Sequence, residues 1–389
     1  MRRVCVAALL LLTACSTAPA IAPAIAPADL LIIAERMLDV RTGQYVRDRV
    51  VIVRDGKIAA IEDASRAAGI VAKDRFVLPK NTTLLPGLVD AHVHLAWNGA
   101  KNEEAARLTL MAGFTTVRNP GASGNADVEL RDAIEAGRLP GPRMAIARTG
   151  IGAKGGVCEA TFGEAGVETA DEARERVRKL IGEGADFIKI CTGGGVIGRA
   201  PDAEKTELTP EAIAAIVDEA HRAQRHVAAH AQGPAAIRAA VNGGVDSIEH
   251  GGLIDEEAAR LMASKRVSLV PTLARLQNAA LRADTIARVK RARELGVPIV
   301  FGTDGGVLPH GQNAKEFETM LAIGMTPAEA IRAATIDAAK LIGWQDRVGS
   351  IEPGFFADFV VVSDNAPAPM YVSAVVSRGQ VVRNDFAVH

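Results

Sequence analysis

Aromatic residues make up only 4% of this 389-residue chain, with two tryptophans and two tyrosines, too few to build the ring platforms on which single-stranded nucleic acids stack. Basic residues form no run, and 45 Lys plus Arg against 46 Asp plus Glu leave a formal net charge of -1. That balance excludes the electropositive footprint of a nucleic-acid binder. Four cysteines are too few to staple a fold of this length. The N-terminal apolar stretch, Val4 to Leu12, is too short to cross a bilayer as a helix. A small-molecule substrate is the partner class that remains.

What the chain has in quantity is hydrophobic residues, 48% of the total, enough for a (β/α)8 TIM barrel of roughly 250 residues and a smaller satellite. Apolar strand-like runs alternate with the amphipathic stretches Asp171 to Gly182, Pro210 to Ala223, Asp255 to Ala263 and Asp284 to Leu295, the signature of repeated βα units. Eight strands are expected at 88–92, 115–118, 143–147, 187–191, 227–230, 247–250, 268–270 and 299–303. Helix starts carry caps: Thr209 before Pro210, and Thr326 before Pro327 with Glu329 behind it. Residues 29–80 and 346–389 read instead as short Val/Ile strands, broken by turns such as Thr42-Gly43 and Asp55-Gly56. The expected organisation is a barrel over 81–345 beside a β-sandwich built from both chain ends.

The N-terminus has its own logic. Met1-Arg2-Arg3 and the apolar Val4 to Leu12 form an export signal over residues 1–14. Leu12-Thr13-Ala14-Cys15 reads as a bacterial lipobox that leaves Cys15 to carry lipid, with residues 15–28 as a tether. Ser16 beside it points to the periplasmic face of the outer membrane. Cleavage after Ala18 or Ala20 is the alternative. Cys158 and Cys191 then remain in the folded part, and a bond between them is not expected.

Polar residues that end apolar runs carry the chemistry. His92-Val93-His94 closes the run from Leu88, and residues i and i+2 of a strand share a face. His230, His250 and Asp304 close later runs. Lys189 is set in Phe187-Ile188-Lys189-Ile190-Cys191, where an unpaired ammonium is costly. One reading pairs it with a buried carboxylate or lets it snorkel. The other lets desolvation lower its pKa until the neutral amine adds carbon dioxide, giving an anionic carbamate able to bridge two cations. Beyond it, Thr192-Gly193-Gly194-Gly195 lets backbone approach a ligand closely.

Jointly, LPGLVDAHVHL (85–95), GFTTVR (113–118), GADFIKICTGGG (184–195), VAAHAQG (227–233), DSIEHG (246–251), PTL (271–273), FGTDG (301–305) and PGFFADFVVV (353–362) resemble the amidohydrolase superfamily. The likeness is to its imidazolonepropionase-like and prolidase-like branch, which carries a carboxylated lysine. The resemblance implies two divalent metal ions, zinc by default. His92, His94 and Asp304 would hold one and His230 and His250 the other, with the Lys189 carbamate bridging. Asp304 would be the catalytic general base beside a metal-bridged hydroxide.

The implied reaction is hydrolysis of an amide or peptide bond in a small substrate with a free carboxylate. Xaa-Pro dipeptides, dipeptides ending in Arg or Lys, and N-acyl amino acids fit. Alternatives are a mononuclear hydrolase of cyclic amides or lactones, a carbamate or phosphoester hydrolase, and a non-enzymatic lipoprotein scaffold. Arg118, Lys154 and Arg199 are candidates to bind the carboxylate, and His310, on the loop after Asp304, to touch substrate. The chain departs from the branch in three places. The loop Gly152 to Gly156 has no histidine, Tyr45 and Tyr371 lie outside the barrel, and the segment from Pro271 to Leu295 is short.

Overall fold

Runs rich in Val, Ile, Leu and Ala form the strands, and Asp-Gly or Thr-Gly turns separate the first of them. The structure is a computed structural model that describes residues 27–97, 99–195, 205–363 and 370–387. The first five strands are β1 (Ala28–Asp39), β2 (Gln44–Arg54), β3 (Lys57–Asp63), β4 (Ala72–Val77) and β5 (Thr82–Pro86). Seven short parallel strands follow: β6 (Leu88–Asp90), β7 (Phe114–Asn119), β8 (Arg143–Ile146), β9 (Ile188–Cys191), β10 (Val227–Ala231), β11 (Ser247–His250) and β12 (Ser268–Val270). The chain ends with β13 (Phe359–Ser363), β14 (Val372–Ser377) and β15 (Gln380–Asn384).

The first and last described strands meet in one eight-stranded sheet, ordered β15-β14-β13-β5-β1-β2-β3, with β4 on β1. β4 and β5 share one edge of β1, the first along Ala28 to Ile33 and the second at Met37, so the sheet forks there. Ile32, Val51, Leu84, Phe359 and Val376 fill its core. β5 draws this sheet on to Pro86 by pairing with β13.

The rest of the chain is a mixed α/β arrangement. β6-β7-β8 and β9-β10-β11-β12 are two parallel ladders. Their strands are buried at nearly every position, as parallel strands covered by helices should be. The helices Ala170–Gly182, Pro210–Arg222, Glu256–Lys265 and Ala279–Glu294 occupy the amphipathic stretches. The expected caps form: Thr209 accepts from the Ala212 N–H, and Thr326 and Glu329 complete a reciprocal box.

The ladders do not merge into one closed sheet. Single parallel bridges link them, at Ile151–Ile190, Leu269–Ile299 and Val93–Gly305. Residues 299–303, expected as an eighth strand, form no ladder, because their donors go elsewhere. Pro298 has no N–H, the Phe301 N–H goes to Ala333 O at 3.2 Å, and the Thr303 N–H goes to the Asp90 carboxylate at 3.1 Å. Even so the segment is held on both sides, by Val300 N–H to Leu269 O (2.9 Å) and Ala91 N–H to Phe301 O (3.0 Å).

Candidate metal centre

β6 stops at Asp90, two residues earlier than expected, and the side chain of Asp90 explains why. Its carboxylate accepts from the His92 N–H, the Thr303 N–H and hydroxyl, and the Asn313 amide. The chain therefore bends, carrying His92 and His94 past the strand end toward Asp304. His92 Nε2 and His94 Nε2 lie 3.6 and 3.5 Å from Asp304 Oδ1.

The second nitrogen of each ring decides what the first can do. His92 Nδ1 is 2.6 Å from Glu249 Oε2, on β11. Glu249 also accepts from Arg118 Nη2 and Ser247 Oγ, each at 2.6 Å. Arg118 balances the Glu249 charge, so the His92 proton stays on Nδ1 and the Nε2 lone pair points inward. Nε2 is buried without a hydrogen-bond partner, and an orphaned buried acceptor of this kind suits a cation. His94 Nδ1 donates to Gly121 O (3.2 Å), and one ligand atom from each of His92, His94 and Asp304 lies within 4.8 Å of the others. A neutral imidazole pair and one carboxylate is a donor set that zinc accepts.

The other expected ligands stand beside this trio. His250 Nδ1 is 2.8 Å from Thr272 Oγ1, and His230 Nε2 is 3.1 Å from Gly195 O. The His250 ring centre is 4.9 Å from that of His92 and 4.8 Å from that of His230. Lys189 lines the same cavity, of about 310 Å³, and its ammonium makes no hydrogen bond or ion pair among the described residues. Burial sets the charge states. It drives His92 and His250 well below the usual histidine range, lowers His94, and takes His230 down to about 3. All four are neutral lone-pair donors at pH 7. Burial likewise brings Lys189 down to about 8, within reach of its neutral amine form.

Backbone strain gathers here too. His250, Thr272 and Asp304 have φ of 73°, 50° and 58°, a left-handed region costing about 1–3 kcal/mol for residues with side chains. The paired networks around them hold that geometry.

Part of the cavity wall is apolar. Val157 and Phe162, on the helix Val157–Phe162, line it, and Trp97 stacks on His94 with ring centres 4.2 Å apart. A Cβ on Gly150 would fall 2.5 Å from the Cys158 sulfur, and one on Gly121 would fall 2.3 Å from the Phe162 ring. Glycine is what lets this helix seat. A disulfide joins Cys158 to Cys191 on β9, contrary to expectation. The Ile151–Ile190 bridge brings the two segments together.

The carboxylate-binding candidates fall elsewhere. Arg118 is enclosed, 1% exposed, and spends its donors on Ala91 O, Ser247 and Glu249. Lys154 is an exposed partner of Glu168 at 2.9 Å. Arg199 and Cys15 lie outside the described residues. His310 is half-buried, 3.4 Å from Thr109 Oγ1, and lies outside the cavity wall; burial takes its pKa down to about 4. Glu249, Asp90, Gln232 and Arg275 escaped the sequence reading. Of these, Glu249 and Asp90 left a usable sign, each an acid inside an apolar run, Ser247-Ile248-Glu249-His250 and Leu88-Val89-Asp90-Ala91.

A larger groove, about 650 Å³, crosses the mixed sheet between Asp29, Lys73 and Arg378. It has no histidine, and Lys73 is paired to Asp29 at 2.6 Å. It offers no comparable donor set.

A family model described as the amidohydrolase family matches residues 83–382. A solved Xaa-Pro dipeptidase with methionine bound in its active site superposes with a TM-score of 0.82. It is 31% identical, and the match covers 91% of this chain and all of that one. Ochratoxinase of Aspergillus niger is 27% identical over 400 residues, covering 87% of this chain and 82% of its own. Imidazolonepropionase of Symbiobacterium thermophilum is 28% identical, with 91% and 97% covered.

Proposed function

The chain belongs to the amidohydrolase family and is a hydrolase of carbon–nitrogen bonds, and from that premise we propose that it cleaves the amide of a small substrate carrying a free carboxylate. A dipeptide ending in proline or a basic residue, or an N-acyl amino acid, is the substrate class. The observation that carries this reading is the convergence of His92, His94 and Asp304 on one point, with His230, His250 and Lys189 in the same wall. Likeness to a Xaa-Pro dipeptidase supports the substrate class, and a cavity near the small end of ligand sites suits it.

In this reading His92, His94 and Asp304 would hold one divalent cation and His230 and His250 a second, with the Lys189 carbamate as the ligand they would share. Zinc bound there supplies Lewis acidity toward the scissile carbonyl and makes water nucleophilic near neutral pH. The chain's own residues do the rest. Neutral Lys189 adds carbon dioxide, forming an N–C bond and releasing one proton. Asp304 takes the proton of the attacking water and hands it to the departing nitrogen, without which an amine leaves poorly. Trp97, Val157 and Phe162 exclude bulk water from the cavity.

The two parallel ladders and their bridges are read as a (β/α)8 barrel with its chemistry at the strand C-terminal ends, and the forked sheet as a sandwich of 29–80 with 346–389. Export through Met1 to Leu12 and lipid on Cys15, at the periplasmic face of the outer membrane, complete the proposal. The Cys158–Cys191 bond supports an oxidising compartment.

One observation favours a second reading, a mononuclear site opening a cyclic amide: only His92, His94 and Asp304 form a close ligand group among the described residues. Zinc-reconstituted protein, wild type and Lys189→Ala, should be offered dipeptides, N-acyl amino acids, cyclic amides and a phosphoester. Hydrolysis of the first two classes, nearly abolished in Lys189→Ala, is expected. Full activity in the variant would favour the mononuclear site.

A further inference from the structure

With Arg118 committed to Glu249 and Lys154 to Glu168, neither of the carboxylate-binding candidates named from the sequence and described in the structure reaches the cavity. Arg275 does. It lies just past β12, in the turn Leu273–Arg275, and is 9% exposed, with the cavity at its open side. Its Nε is 3.0 Å from Thr272 Oγ1 and 3.1 Å from Asp304 Oδ2. Only one corner of the guanidinium is used by these contacts. The two Nη groups, the fork that matches a carboxylate, make no hydrogen bond to any described residue.

Gln232 offers a second unused donor in the same wall. It is 1% exposed, its Oε1 accepts from the Gly252 N–H at 3.3 Å, and its Nε2 is buried with no partner. The Gly252 N–H fixes which end of the amide is oxygen, so the unpartnered end is the amino group of a residue that lines the cavity. Buried donors left unpaired cost free energy until something accepts from them.

Charge points the same way. The cavity lining carries Lys189 and Arg275 against Asp304 alone, a net positive site before any metal is counted. With a lysine carbamate and two divalent cations the sum stays positive.

Arg275 is also held firmly. Thr272 takes a left-handed φ of 50°. Buried Glu316 clamps the turn, accepting from the Leu273 N–H at 2.9 Å and the Ala274 N–H at 2.7 Å. A preorganised donor binds without first having to be ordered.

We propose that Arg275, assisted by the Gln232 amide, is the anchor for the substrate's α-carboxylate. The proposal rests on the amide-hydrolase reading above and sharpens it. Because Arg275 touches the second oxygen of Asp304, whose first oxygen faces His92 and His94, the anchored carboxylate sits one residue from the bond being cut. Only one residue then fits on the leaving side, so N-acyl amino acids and dipeptides are taken and longer C-terminal extensions are refused.

The test uses the zinc-loaded enzyme and two pairs of probes that differ only at the carboxylate: L-proline against L-prolinamide for binding by calorimetry, and Ala-Pro against Ala-prolinamide for turnover. Wild type should favour each acid about 10- to 100-fold, the worth of a charge-assisted pair. Arg275→Gln should lose that preference in both KM and Kd, Arg275→Lys should keep part of it, and Gln232→Leu should reduce it. Metal content and melting temperature check that each variant is folded and loaded. If Arg275 serves only to position Asp304, Arg275→Gln slows acid and amide alike and the ratio survives, which overturns the proposal. Wild type that shows no preference for the acids, or no binding, overturns it too. If wild type binds L-proline through Arg275 yet cleaves neither peptide, the anchor stands and the dipeptidase reading falls.

Discussion

Glu249 Oε2 stands 2.6 Å from His92 Nδ1, deep in the protein and with Arg118 and Ser247 on its other oxygen. That contact fixes the tautomer that leaves His92 Nε2 free. In Glu249→Gln the amide can present N–H to His92 and reverse the tautomer, and Arg118 loses its counter-charge. Loss of such an outer partner typically weakens metal binding about 10- to 100-fold. Elemental analysis after dialysis against a weak chelator should find substoichiometric zinc in the variant; equal retention by both proteins would contradict the assignment.

Stability should depend on pH through Glu316. Burial raises its carboxyl from an ordinary 4.5 to about 8. An acid whose folded pKa is raised contributes stability in full below 4.5 and loses it as pH rises through 8, because the unfolded chain ionises first. Glu316→Gln cannot ionise, and one of the Leu273 and Ala274 N–H groups loses its acceptor. Urea denaturation across this window should show wild type ahead at pH 4.5, with the lead shrinking toward pH 8. A constant difference would rule the titration out.

The Cys158–Cys191 bond closes a separation of 33 residues, worth about 3–4 kcal/mol in the chain-entropy account. Reduction should lower the melting temperature by several degrees. It should also raise KM more than it lowers kcat, since the freed helix Val157–Phe162 forms the apolar wall. Cys158→Ala should reproduce the loss and respond no further to reductant. Unchanged melting on reduction would show that the bond is not formed.

Much of the site was legible because its residues break a local rule. His92, His94, Lys189, His230, His250 and Asp304 are polar residues closing or interrupting apolar runs, and the structure lines one cavity with all six. Residues whose role depends on distant partners were not. Arg118 reads as a strand-end cation free to meet substrate, yet its orientation toward Glu249 follows from two strands far apart in sequence. Arg275 looks like any loop arginine until Thr272 bends and Glu316, 41 residues on, clamps the turn. The disulfide needs a bridge between Ile151 and Ile190 that no local pattern announces. The eighth strand fails as a ladder because Asp90 and Ala333 take its donors.

Zinc titration of chelator-stripped protein in bicarbonate buffer, followed by turnover, tests the central claim most directly. Two equivalents per chain should restore hydrolysis in wild type, whereas Lys189→Ala should bind about one and stay nearly inactive. Saturation of wild type at one equivalent, with Lys189→Ala equally active, would contradict a shared lysine-derived ligand.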